Sequence, residues 1–214
     1  ETARATSVVV ILIVAVSQAM ATVAFQTAAN NRIITPSIMG FESLYVLIQT
    51  SAVYFLGAVG VSAVQGLPQY ALQVSLMIVF ALGLYGWLLS GKYANVQVML
   101  LIGIVLGGEL GAVSTFMQRL LSPSEFDVLS ARLFGSVANA DPWYFPLAVP
   151  LCVVATVALY VHSRTLNVMA MGRDVATNLG MDHRRELLLT LFWVSILMAV
   201  STSPATAITE ACLL

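Results

Sequence analysis

Apolar residues dominate six long stretches of the chain, at about Ala5–Gln26, Ile38–Val64, Tyr70–Leu89, Val96–Met117, Trp143–Val161 and Leu187–Ala207. A helix needs about 20 mostly apolar residues to cross a bilayer, so each stretch predicts a span. The second carries Glu42 near its start and Gly57 and Gly60 late, which shortens its usable core. The last is interrupted by Pro204, where a bend or a stop is expected. Between the last two stretches lies a long polar-bearing interval, residues 164–186, with Leu166–Gly180 at its centre. Two short helical pieces are read there, separated by Gly172 and closed by Gly180, because glycine tolerates the left-handed conformation that ends helices. Ala170 and Ala176 are small enough to let another surface approach the backbone. A plain connector needs only a few residues. This interval is expected to be a contact surface.

A second polar interval, residues 118–142, contains a short amphipathic helix over Ser122–Gly135. Phe126, Leu129 and Leu133 fall on one face at helical spacing, and Ser124 with Asp127 is read as the capping pair. The helix either rests on the bilayer rim or acts as a docking or gating element. In the fourth span Gly103, Gly107 and Gly111 recur every four residues and lay down a smooth face. Such a face packs helices closely or borders a passage, and both readings stand. Glu109 lies in the same span, where an unpaired carboxylate is costly.

Composition turns these segments into a class. The 214 residues are 59% hydrophobic and 9% charged, with a mean hydropathy of +0.93. Soluble domains carry about 25% charged residues, so the fold class is an all-α polytopic membrane helix bundle of about six spans, one domain over residues 1–214. A net charge of −1 carries no nucleic-acid signature. Six of the nine basic residues, Arg32, Lys92, Arg164, Arg173, Arg184 and Arg185, fall in loops on one side, which predicts that Leu166–Gly180 is cytoplasmic. The opposite side holds Arg4, Arg119 and Arg132. Residues 1–6 lead into an apolar run too long for a secretory leader, and no signal peptide is read there. Neither a His-Glu-x-x-His pair nor a phosphate-binding loop occurs, and Cys152 and Cys212 lack metal-ligand spacing. His162 and His183 sit at a membrane boundary and are read as solvated interfacial residues. No enzyme, cofactor or metal site is expected.

Leu166-Asn167, Ala170-Met171-Gly172, Asp174-Val175-Ala176 and Leu179-Gly180 resemble the cytoplasmic coupling loop of permease subunits from bacterial iron-siderophore and cobalamin ABC importers, the type II importers. That loop reads roughly Leu-Asn-x-x-Ala-Leu-Gly-Glu-x-x-Ala-x-x-Leu-Gly; Met171 replaces a leucine here, and Arg173-Asp174 replaces the acidic pair. The run from Gln26 through Asn31 and Pro36 to Gly40 is similar to the loop after the family's second span, in a form nearest the iron-siderophore branch. Ser114 to Gln118, with Leu133-Phe134-Gly135-Ser136, is similar to the fifth span and the short helix beside the translocation path.

The resemblance implies that Leu166, Asn167, Ala170, Met171, Gly172, Asp174, Ala176, Leu179 and Gly180 couple the chain to an ATPase. It implies that Gly103, Gly107, Gly111, Ser114 and Gln118 pack helices or line the path, and that Arg4, Glu125 and Arg132 dock a periplasmic binding protein. The implied partners are ATP-binding subunits, a second permease, identical or homologous, the binding protein, a ferric siderophore and the lipid bilayer of a bacterial inner membrane. Family members run to about ten spans, so the first and last spans are expected to be missing. The sequence after Ser203 departs from the family, as a truncated or out-of-frame end would. The expected function is an importer permease driven by a partner's ATP hydrolysis. The alternative is a membrane protein without an ATPase, either a secondary transporter or a structural helix bundle.

Overall fold

The computed structural model describes residues 2–31, 33–63, 67–89, 96–133 and 145–211. Their order is α1 (Thr2–Ala28), a 3₁₀ turn (Pro36–Met39), α2 (Phe41–Ala63), α3 (Leu67–Leu89), α4 (Val96–Leu120), α5 (Pro123–Leu133), α6 (Phe145–Val161), α7 (Ser163–Met169), α8 (Arg173–Asn178) and α9 (His183–Ala211). All the described secondary structure is helical, as the apolar runs predict, and each of the six expected spans coincides with a long helix.

Among the described residues, three helices are long and apolar enough on their own to cross a bilayer: Val8–Ala28, Leu100–Leu120 and His183–Thr202. A fourth crossing is possible through Pro146–Val161 and Ser163–Met169, which meet at a bend of 56°. Among the described residues of α3, the apolar stretch is Tyr70–Gly83. In α2 the helix breaks at Gly57, whose φ of 67° and ψ of 170° lie in a region open essentially to glycine alone. The residue that shortened the second apolar run in the sequence therefore interrupts it in space. Pro204 does not stop the helix, since α9 continues through it to Ala211.

The core forms around α9, which packs on α1, α3 and α6. Buried residues run without interruption from Val194 to Thr202, so this helix is covered on every side. Two-thirds of its span is buried (67%), against 22% for α4. The outer helix α4 meets the rest mainly through α2. Its exposed Leu101, Ile104, Val105, Val113 and Phe116 suit a lipid or protein neighbour, not water.

Candidate functional site

The polypeptide leaves the bundle at His162, where α6 gives way to α7 across the 56° bend. Leu166 and Met169 point inward and are buried, which fastens α7 to the core beside α1. Gly172 follows with φ +100° and Gly180 closes the segment with φ +80°, so both glycines stand where the sequence places helix stops. A Cβ at either position would meet nothing within 4 Å. The requirement for glycine there is thus one of backbone conformation, not space. The amide of Ala176 donates to Gly172 O, and that of Met181 donates to Ala176 O, so α8 is tied at both ends.

Burial divides the nine predicted coupling residues. Asn167, Ala170, Met171, Asp174, Leu179 and Gly180 are exposed, Gly172 is half-buried and Leu166 is buried. Ala176 is completely buried, which corrects the expectation that its small side chain admits an outside surface. Its size instead lets α8 lie close against the chain's own α7 and α9. Val175, which sequence reasoning passed over, is 43% exposed, between Met171 and Leu179 at 66% each. Val175 and Leu179 lie one turn apart, the Leu179 amide donating to Val175 O at 3.1 Å, and form an apolar stripe outside the bundle, with Met171 exposed before the break at Gly172. That spacing was the signal by which Val175 could have been found.

The second loop motif is structural. The side-chain Oδ1 of Asn31 accepts the amide of Ile33 at 3.0 Å, and the amide of Asn31 donates to Gln26 O at 3.1 Å. Pro36 opens the 3₁₀ turn, buried, and Gly40 ends it at φ +94°. A Cβ on Gly40 would lie 2.8 Å from Gly107 Cα, and one on Gly107 would lie 2.9 Å from Gly40 Cα. A Cβ on Gly103 would collide with Met39, and one on Gly111 would touch Ser43. The glycine stripe of α4 therefore packs against the 3₁₀ turn and the start of α2. Of its two readings, close packing is the one observed.

Further along the same interface, Thr50 Oγ1 and Ser114 Oγ lie 3.1 Å apart, and Gln118 Nε2 donates to both at 3.3 Å. Ser114 and Gln118 were expected together; Thr50 was not, because an isolated threonine in an apolar run carries no signal. Gln49 Nε2 similarly donates to Gln73 Oε1 at 2.7 Å, joining α2 to α3. Cys152 is buried with its Sγ 3.1 Å from Ser17 Oγ, a packed thiol as its apolar surroundings predicted. Glu109 is exposed on α4.

At the far end of α4, the capping pair differs from the expected Ser124 and Asp127. Ser122 is the cap: its amide and its hydroxyl both donate to Glu125 Oε2, at 3.0 and 2.8 Å. Pro123 decides this register, since its fixed φ suits the first helical position. These hydrogen bonds from Ser122 hold the Glu125 carboxyl below its ordinary pKa. Its carboxylate is thus engaged in a cap, where the sequence reading made it a docking acid. The side chains of Arg4 and Arg132, the other docking candidates, lie outside the described residues, as do Phe134, Gly135 and Ser136. Leu129 is buried against Val53 of α2, with Leu133 partly buried beside it, while Phe126 is 45% exposed, so the predicted apolar face is only partly used. His162 is not a free interfacial residue: its Nε2 lies 2.7 Å from Glu186 Oε2 in the first turn of α9.

Comparison with known proteins agrees with this layout. The chain is 51% identical over 200 residues to the petrobactin import system permease protein FatC of Bacillus anthracis, covering 94% of this chain and 56% of that protein. It is 37% identical over 185 residues to the petrobactin import system permease protein YclO of Bacillus subtilis, covering 86% of this chain and 59% of that protein. The chain therefore spans somewhat more than half the length of these relatives. Its fold is similar to that of a metal-chelate type ABC transporter solved in an inward-facing conformation, with a TM-score of 0.77, 21% identity, and coverage of 94% of this chain and 62% of the other. The FecCD transport family model matches residues 2–210. With nearly the whole chain inside that match, this polytopic all-α membrane protein belongs to the FecCD transport family.

Proposed function

We propose that the chain is the membrane-embedded part of a permease subunit in an ATP-driven importer of iron–siderophore complexes, in a bacterial plasma membrane. Its immediate relatives are named as petrobactin import permeases, which supports a siderophore as cargo. The observation that carries the coupling role is the exposed apolar stripe of Val175 and Leu179, with Met171 exposed across the break at Gly172, on a loop anchored from beneath by Leu166, Met169 and Ala176. A pair of ATP-binding subunits docks on that stripe from the cytoplasm. A second permease completes the pathway, and a periplasmic binding protein delivers the ferric siderophore at the opposite end, near α5. The permease breaks no bond itself. ATP binding and hydrolysis by the partner shift the spans between outward- and inward-open states through contacts that differ between those states.

Replacing Val175 with arginine tests this without disturbing the buried anchors. In the full-length permease the substitution is expected to abolish capture of the ATP-binding subunits in a pull-down and to stop ATP-dependent uptake, while membrane insertion is retained. Unchanged capture together with unchanged uptake would refute the coupling role. Uptake that persists without any ATP-binding subunit would favour a secondary transporter instead.

A further inference from the structure

We infer that His162 and Glu186 form a clamp at the root of the 163–185 loop, which makes α7 and α8 move with α6 and α9 as one lever. This inference rests on the coupling role proposed above, because it concerns how a push on the loop reaches the spans. The two residues stand 24 positions apart in sequence, yet their side chains meet at 2.7 Å. His162 sits at the bend between α6 and α7, and Glu186 in the first turn of α9, so the contact joins the exit of the loop to its re-entry.

The 2.7 Å separation of Nε2 and Oε2 is a direct side-chain contact across the loop's root. Both side chains are about three-quarters buried, at 23% and 24% exposure, which limits screening by salt. Arg185 pairs with Asp182 at 3.0 Å on the exposed side, and Arg164 and Asp174 are exposed on α7 and α8.

The loop needs such a fastening. Helices α7 and α8 have seven and six residues, too few for stable isolated helices. Apolar anchors hold α7 on the core through Leu166 and Met169, and among the described side chains of α8 only Ala176 is buried. Without a tie at the root, a force on the exposed stripe would splay the loop away from α6 and α9. With the ends joined, the same displacement reaches both spans together.

Two measurements on the full-length permease test the clamp. In the first, the permease alone is followed by amide hydrogen exchange. His162→Ala and Glu186→Ala are each expected to speed exchange over residues 173–182 by about tenfold or more, as loss of a local closing free energy does, while 192–200 in α9 stay protected. In the second, the permease is reconstituted with its partner permease, ATP-binding subunits and binding protein, and uptake of radio-iron petrobactin is measured per ATP hydrolysed. Each alanine variant is expected to lower that ratio by about fivefold or more, the low end of site-to-site coupling. The exchanged pair, His162→Glu with Glu186→His, is expected to recover both readouts. Unchanged exchange in the loop would overturn the clamp whatever the transport result, and so would a defect that the exchanged pair fails to relieve. If exchange responds but the unmodified assembly takes up no iron with ATP, the clamp stands and the coupling role falls.

Discussion

Gly40 and Gly107 meet backbone to backbone, and each excludes a side chain on the other. A Cβ at Gly107 would come within 2.9 Å of Gly40 Cα, a backbone atom with no rotamer to yield. Gly107→Ala is therefore expected to destabilise the α4 packing by about 1–3 kcal/mol, as overpacking does. Gly108→Ala, where nothing lies within 4 Å, should be neutral. Thermal unfolding of the two variants in the same detergent checks the difference. Glu125 offers a second test at this scale, through pH. Its folded-state carboxyl is held below its ordinary value by Ser122, so the contribution to the start of α5 is present above the unfolded pKa and is lost as pH falls through the lower, folded value. Amide exchange of α5 should rise on acidification across that window. Glu125→Gln should flatten this response, and an unchanged pH profile in that variant would remove Glu125 from the cap.

Between elements, α5 is held to α2 by a small apolar cluster, Leu129 on Val53 with Leu121, Leu133 and Ala52 around them. Leu129→Ala is expected to cost about 2–5 kcal/mol of local stability, the range for a buried leucine. It should appear as faster exchange confined to α5, with α9 unaffected. The neighbouring break at Gly57 gives α2 a discontinuity beside this docking point. The sequence marked an amphipathic helix here but misplaced its cap, because Ser122 and Ser124 are both capable and only the position of Pro123 in the first turn selects the former. Phe126 was assigned to the packed face for a similar reason. Helical spacing defines which residues share a side, not how much of that side a neighbour covers.

At the scale of the whole molecule, the bundle is stitched by polar contacts between spans: Thr50 with Ser114 and Gln118, Gln49 with Gln73, and Ser17 with Cys152. Each such bond is worth only about 0.6 kcal/mol on average in a membrane protein, so close packing along α9 and the glycine stripe carries more of the association. Sequence by itself determined the all-helical class, the positions of the six long helices and the two glycine stops of the loop. These follow from local rules, the length of apolar runs and the freedom of φ at glycine. It also singled out Leu166–Gly180, the segment proposed here for coupling, through a spacing of residues shared with a family. Only the tertiary structure decided that Ala176 faces inward and Val175 outward, that Gly107 meets Gly40, and that His162 joins Glu186. Those pairings depend on how helices distant in sequence turn toward one another, and no local pattern encodes that rotation.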